Sequence, residues 1–116
     1  MRKRETSFET FLQLEIRAGQ IVSAEPFAEA RNPSYRLAVD FGDPVGILRS
    51  SAQLTRRYTP ESLVGTCVLA VVNFPPKRIA GLASECLVLG VVNPDDEGDV
   101  VLVRPDASDT AGWHLA

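Results

Sequence analysis

Histidine and cysteine, which supply many metal ligands and catalytic nucleophiles, are nearly absent from this sequence. The chain has one histidine, His114, and two cysteines, Cys67 and Cys86, among 116 residues. A structural zinc site needs four ligands, and no Cys-x-x-Cys spacing occurs, so we expect no metal site. Both cysteines lie in apolar runs typical of strands, where a free thiol packs as a small hydrophobe.

Recognisable catalytic motifs are missing as well. The sequence contains no G-x-S-x-G turn, no P-loop and no G-x-G-x-x-G segment. His114 lies almost at the C-terminus, where we expect a mobile side chain, and a general base needs fixed geometry. The acidic cluster Asp95–Asp99 lacks the ligand pattern of a calcium loop and is typical of a solvated turn. We therefore expect a protein that is not an enzyme and needs no cofactor.

No apolar run is long enough to cross a membrane. The longest, Cys67–Val72 and Leu87–Val92, are far shorter than a spanning helix. The basic segment Met1–Arg4 is not followed by an apolar stretch, so we expect no secretory signal, no membrane insertion and a cytoplasmic location. The length fits a single domain over residues 1–116, with residues 1–6 as a flexible extension.

The pattern that is present is the alternation of apolar and polar residues typical of strands. Only one short helix, with an apolar face at Phe8, Phe11 and Leu12, is predicted before them, capped by Ser7 or Thr6 and packed inward or on a partner subunit. Gly19 is expected to mark a bulge or bend in the first, long strand. The predicted strands are Leu14–Phe27, Tyr35–Phe41, Val45–Ser51, Thr66–Phe74, Glu85–Val92 and Asp99–Arg104. Because no βαβ alternation is visible, we predict an all-β fold, a five-stranded antiparallel barrel of the OB type.

Charge is distributed unevenly along the chain. The net charge is −3, but residues 27–84 carry seven basic and four acidic side chains, whereas residues 85–116 carry one and seven. A local positive surface can therefore coexist with a negative total. The pair Arg56-Arg57 is predicted to be solvated.

The segment 73–78, Asn-Phe-Pro-Pro-Lys-Arg, is the first candidate binding site. Two prolines stiffen the chain beside the aromatic Phe74 and the cations Lys77 and Arg78. The segment 49–53, Arg-Ser-Ser-Ala-Gln, follows a strand and offers small polar groups for a partner's main chain, or for capping the next turn. On pattern alone, both segments are equally compatible with ordinary surface turns. If they share one barrel face, cations beside an aromatic suit single-stranded nucleic acid or unfolded peptide.

Several stretches resemble those of the CsaA-type export-related chaperones, which belong to the larger tRNA-binding-module family. The most specific stretch is residues 71–81, Val-Val-Asn-Phe-Pro-Pro-Lys-Arg-Ile-Ala-Gly. Residues 14–22, 39–42, 50–55, 84–85 and 87–90 match in the same order. The resemblance covers most of the chain, and the two ends fit it less well than the centre.

The resemblance implies an OB-fold core with terminal extensions that form a homodimer. It also implies a chaperone that holds unfolded preproteins and cooperates with the translocase motor SecA. Wider relatives bind tRNA, which makes an RNA-binding module the alternative function; a dimeric accessory domain that contacts only other proteins is a third. The candidate peptide- or RNA-binding residues are Arg36, Arg49, Ser50, Ser51, Gln53, Asn73, Phe74, Lys77, Arg78 and Ser84.

Overall fold

The chain folds into nine strands and two short helices, and five of the strands form one antiparallel sheet. The computed structural model describes all 116 residues. The elements are α1 (Phe8–Leu12), β1 (Ile16–Pro26), β2 (Tyr35–Asp40), β3 (Ile47–Ala52), α2 (Pro60–Leu63), β4 (Cys67–Val71), β5 (Lys77–Ile79), β6 (Leu82–Ser84), β7 (Leu87–Val88), β8 (Gly90–Asn93) and β9 (Asp96–Leu102). The sheet order is β3-β2-β1-β4-β7, while β5-β6 and β8-β9 are separate two-stranded pairs. This nearly closed, five-stranded antiparallel barrel confirms the predicted OB-like all-β fold.

Strand β2 forms the core as its alternation predicted. Tyr35, Leu37 and Val39 are buried on one face, and Phe41, just beyond the strand, is completely buried. The other face, which begins with Arg36, is half-buried. Burial of such side chains is the main stabilising contribution to a small barrel. None of the helices has the length and apolar character needed to cross a membrane.

Strand β1 is shared between two partners, and this bends the sheet. Its first half pairs with β4 and its second half with β2. The register with β2 shifts between Ile21 and Ser23. The bulge was expected at Gly19, and it lies three residues further along the strand. Gly19 has a different role: a Cβ there would lie 2.7 Å from both Val39 and Phe41. Because glycine has no side chain, Val39 and Phe41 can pack directly against the strand at this position.

Two segments differ from the predicted pattern. Residues 77–84 were expected to form a loop but form the hairpin β5–β6, whose turn is Ala80-Gly81. Both turn residues have positive φ, 45° and 87°, as a type I′ hairpin turn requires. The single strand expected over Glu85–Val92 is divided into β7 and β8, which pair with different strands.

The two ends of the chain also differ from expectation. Ser7 caps α1 as predicted, but no side chain of α1 is buried, so the inward packing was wrong: Phe8 is 67% exposed and Leu12 60%. The C-terminal tail was expected to be mobile, yet it lies along β1. His114 forms a β-bridge with Arg17, flanked by main-chain bonds such as Ala18 N–H to the Trp113 carbonyl at 2.9 Å.

The acidic turn is paired with the arginines that were predicted to be solvated. Arg56 binds Asp96, and Arg57 makes a two-point contact with the Asp99 carboxylate, one bond of which measures 3.0 Å. The Asn93 amide also donates to Asp99 at 3.0 Å. These hydrogen bonds, first of all those from Arg57, lower the pKa of Asp99 to about 2. The contacts tie the segment after β3 to the β8–β9 hairpin.

We predict that Asp99 makes folding stability depend on pH. An unpaired aspartate titrates near pH 3.9, so the stabilisation is complete at neutral pH and is lost as the pH falls from about 4 to about 2. Asp99→Asn should lower the thermal midpoint at pH 7 and flatten its pH dependence between pH 5 and 2, measured by circular dichroism. Asp95→Asn is the control, because no ion pair involves Asp95. Identical pH profiles for wild type and Asp99→Asn would contradict this.

Candidate ligand-binding cleft

A cleft of about 300 Å³ lies where the β5–β6 hairpin meets the end of β3. It is formed by residues from three places in the chain: the end of β3, the segment around β5, and the segment from Ser84 into β7. The lining residues are Ser51, Gln53, Phe74, Pro75, Lys77, Ile79, Ser84, Glu85, Cys86 and Leu87. Five of these, Ser51, Gln53, Phe74, Lys77 and Ser84, are among the predicted site residues.

Phe74 presents its ring at the cleft instead of burying it in the core. It is 45% exposed, although it follows the buried end of β4 by only three residues. Pro75 and Pro76 come next, and proline fixes φ and restricts the residue before it. The ring is therefore held on a stiff segment, and little conformational entropy is lost when a ligand packs against it.

Main-chain and side-chain hydrogen bonds attach the cleft to β3. Glu85 N–H donates to the Arg49 carbonyl at 2.8 Å, and Arg49 N–H donates back to the Glu85 carboxylate at 3.0 Å. Ser51 N–H donates to the Ser84 hydroxyl at 3.3 Å. These bonds join the two ends of the barrel sheet, so the wall of the cleft and the closure of the barrel are the same set of contacts.

The cleft rim carries positive charge that the protein does not neutralise. Lys77 is exposed and takes part in no ion pair. Arg78, also exposed and without an ion pair, lies outside the cleft lining and donates to the Gly81 carbonyl at 3.2 Å. Arg49, in contrast, is 3.6 Å from the Glu85 carboxylate. The hairpin thus carries two cations without an ion pair.

Arg36 and Arg49 lie together in a smaller neighbouring depression of about 150 Å³. Arg36 pairs with Glu25 at 2.9 Å, and its guanidinium carbon lies 5.5 Å from the centre of the Phe27 ring. Its Nε is buried and has no hydrogen-bond partner. These two predicted residues are therefore adjacent to the cleft, on the outer face of β2 and β3, but not in it.

Ser50 and Cys86 are buried in the core beside the cleft. Ser50 is 1% exposed and its hydroxyl donates to the Cys86 carbonyl at 3.0 Å, so it supports the cleft wall from inside. Burial raises the pKa of the Cys86 thiol to about 11. The thiol is protonated at neutral pH, whereas a nucleophile or metal ligand needs the thiolate.

The Asn73 amide lies outside the cleft. Its oxygen accepts from Glu15 N–H and its nitrogen donates to the Gln13 carbonyl, both at 2.9 Å. The residue lines a different cavity of about 400 Å³ beside α1 and the tail. Like the Ser50 hydroxyl, the Asn73 amide thus has internal hydrogen-bond partners.

Besides Pro75, which lies in the predicted segment 73–78, four lining residues were missed by sequence reasoning as site residues. Ile79 was assigned to a loop, and Glu85, Cys86 and Leu87 were assigned to an apolar strand. The positions of Glu85 and Cys86 follow from their long-range bonds to β3, which no local pattern encodes. No group of three or more potential metal ligands is brought together in the structure. The cleft offers an aromatic face, small polar groups and a cation, and this combination suits the binding of a ligand.

Comparison with known families agrees with this geometry. The model of the family "Putative tRNA binding domain" matches residues 16–114. The chain belongs to this family. Its curated relatives include the methionine–tRNA ligases of Methanothrix thermoacetophila, 35% identical over 108 residues, and Salinibacter ruber, 38% identical over 104 residues. These matches cover 93% and 89% of this chain but only 15% and 14% of the ligases.

Solved structures of family members match along their whole length. Chaperone CsaA from Bacillus anthracis is 50% identical, with a TM-score of 0.91, and covers 97% of this chain and 100% of its own. The CsaA chaperone protein from Picrophilus torridus is 38% identical with a TM-score of 0.88 and the same coverage. The resemblance to CsaA-type proteins inferred from the residues is therefore confirmed.

Proposed function

We propose that this protein is a chaperone of the CsaA type that holds unfolded polypeptide segments in the cleft at Phe74. The observation that carries the proposal is a half-exposed phenylalanine on a proline-stiffened segment, in a cleft with an unpaired lysine at its rim. An apolar side chain of the substrate would pack on Phe74, and its carboxylates would meet Lys77 and Arg78. Arg36, Arg49, Ser51, Gln53 and Ser84 extend this surface.

The proposed export role rests on the resemblance to the CsaA-type export-related chaperones, and the similarity to chaperones named CsaA along the whole chain supports it. In this proposal, the protein acts in the cytoplasm on preproteins before translocation and cooperates with SecA. The sequence has no nucleotide-binding motif, so holding would act by mass action on the unfolded state. SecA and the preproteins are supported by the family resemblance, and the cleft supports the binding of peptide.

Replacing Phe74 should weaken peptide binding strongly. Loss of an aromatic contact costs about 1.5–3 kcal/mol, or roughly ten- to a hundredfold in Kd. We expect this loss for Phe74→Ala in fluorescence anisotropy with a labelled unfolded peptide that alternates leucine with aspartate or glutamate. Val64→Ala, an exposed apolar residue at the end of α2, is the matched control and should bind like wild type. Unchanged affinity in Phe74→Ala would remove Phe74 from the site.

A tRNA-binding function is the second candidate, and one observation favours it. The family model is described by tRNA binding, and the curated relatives are methionine–tRNA ligases. Four arginine and lysine residues, Arg36, Arg49, Lys77 and Arg78, lie on or near the same surface. Cations of this kind bind phosphates without reading sequence.

The two candidates differ in their response to salt. If tRNA is the ligand, affinity should fall steeply between 50 and 200 mM salt, because each phosphate contact releases a counterion and contributes about −0.7 to −0.9 to the slope of log K against log salt. The double variant K77A/R78A should flatten that slope, while Phe74→Ala changes it little. The measurement is filter binding of bulk tRNA, with displacement of the labelled peptide in the same buffer. No tRNA binding at 50 mM salt would exclude this candidate.

We also propose that the active form is a homodimer formed through the two chain ends. The exposed apolar side chains Leu12, Leu14 and Leu115 line the cavity beside α1 and the tail. Phe8 in α1 and Trp113 in the tail are exposed as well. Exposed apolar patches of this kind mark interaction surfaces. The family resemblance identifies a second copy of the chain as the partner.

Introducing charge into α1 should dissociate the dimer. We expect wild type to sediment at twice the mass of the chain, and Leu12→Asp at one chain mass with an unchanged circular dichroism spectrum, because a buried unpaired carboxylate is costly. Val64→Asp, a similarly exposed site away from the ends, should remain dimeric. A wild-type protein that sediments as a monomer at micromolar concentration would reject the proposed dimer.

A further inference from the structure

The Asn73 side chain makes two hydrogen bonds to the segment between α1 and β1. Its oxygen accepts from Glu15 N–H and its nitrogen donates to the carbonyl of Gln13, the residue that caps the C-terminus of α1. Both distances are 2.9 Å. The amide supplies both a donor and an acceptor at these two points, whereas aspartate lacks the donor and alanine lacks both.

These bonds lie at the boundary between two cavities of the surface. Asn73 lines the cavity of about 400 Å³ beside α1 and the tail, together with Leu12, Leu14 and Leu115. The next two residues, Phe74 and Pro75, line the cleft of about 300 Å³. One peptide unit thus separates the cavity wall from the ring of Phe74.

These two bonds are not needed to hold the sheet together. The strands β1 and β4 are already paired, and Val72 N–H donates to the Glu15 carbonyl at 2.8 Å just before Asn73. Both Asn73 bonds are exposed, so water could replace them at a modest cost in stability. Their specific effect is to fix the direction in which the chain leaves β4 relative to the end of α1.

We propose that Asn73 is a positioning residue that couples the α1 surface to the Phe74 cleft. When a second copy covers α1, the segment Gln13–Glu15 is held, and through the amide so is the chain that carries Phe74. The inference rests on the proposed peptide-holding function and the proposed dimer. Because such coupling is reciprocal, bound peptide tightens the dimer and the dimer tightens peptide binding by the same factor.

Three variants separate positioning from general stability. Asn73→Ala removes both bonds and should weaken the anisotropy-measured affinity for the acidic, leucine-containing peptide about tenfold, the equivalent of one to two hydrogen bonds. Asn73→Asp keeps only the acceptor and should lie between. Asn93→Ala is the matched control: its amide also donates once and accepts once, to Asp99 and from Asp95 N–H, on the distant β8–β9 hairpin. It should lower the thermal midpoint about as much as Asn73→Ala but leave peptide affinity unchanged.

The coupling itself is measured by linkage. Saturating peptide should lower the dimer dissociation constant of wild type in sedimentation equilibrium, and it should have no such effect on Asn73→Ala. Equal peptide affinity in wild type and Asn73→Ala, or the same peptide-dependent shift in both, would overturn the proposal.

A ligand-free readout keeps the coupling separate from the proposed function. The Phe74 ring signals in a ¹H–¹³C spectrum should move when Leu12→Asp is introduced into the native chain, and should not move when the same change is made in Asn73→Ala. A ring that responds in a protein that binds no peptide would refute the chaperone function but support the coupling. A Phe74 ring that ignores Leu12→Asp would refute the coupling, whatever the protein binds.

Discussion

The antiparallel register between β1 and β4 is the constraint on which the rest of this structure depends. Ile16 lies opposite Val71, and the pairing continues to Gln20 opposite Cys67. Since side chains alternate between faces, a slip of one residue would move Val68 and Ala70 from the core to the other face of the sheet. The same register places the end of β4 beside the start of β1, and this brings Asn73 to the main chain of Glu15. The core and the approach to the cleft therefore share one origin.

The second half of β1 completes the barrel by a different device. The bulge between Ile21 and Ser23 lets the strand leave β4 and continue along β2. At Gly19 the core needs the space that a side chain would occupy, since Val39 and Phe41 are 2.7 Å from where its Cβ would be. The barrel is thus shaped by the close packing at Gly19 and by the extra residue in the bulge of β1. The cleft lies elsewhere, where β3 meets Glu85.

The sequence predicted the parts of the fold that depend on local alternation. The buried and half-buried faces of β2 were predicted correctly from Tyr35 to Phe41, because burial there follows the alternation of side chains along a strand. The hairpin β5–β6 was missed because its turn uses Ala80, a residue with no preference for positive φ. The outer position of α1 was missed because an apolar helical face indicates that something covers it, but not what. The tail was missed because main-chain bonds hold it to β1 and leave no side-chain pattern.

The candidate cleft was predictable to a similar degree and for the same reason. Phe74 and Lys77 stand out because prolines and cations directly after a core strand are unusual, and both line the cleft. The wall of the cleft depends on contacts between residues that are distant in sequence, such as the hydrogen bond from the Ser50 hydroxyl to the Cys86 carbonyl. Pattern alone also could not separate residues that face a ligand from residues that serve the fold: Ser50 and Asn73 have the right chemistry, yet their polar groups have internal partners.

The two unpaired cations beside the cleft argue for an acidic or apolar ligand over a basic one. Four arginines besides Arg17 have carboxylate partners within the chain: Arg36, Arg49, Arg56 and Arg57. The hairpin that borders the cleft keeps Lys77 and Arg78 free of such partners, although the chain has more acidic than basic residues. In water, an isolated exposed cation costs little, but it attracts carboxylates or phosphates that approach. A basic segment would meet repulsion at this rim, so the acceptable ligands are an apolar peptide with acidic residues or a phosphate backbone.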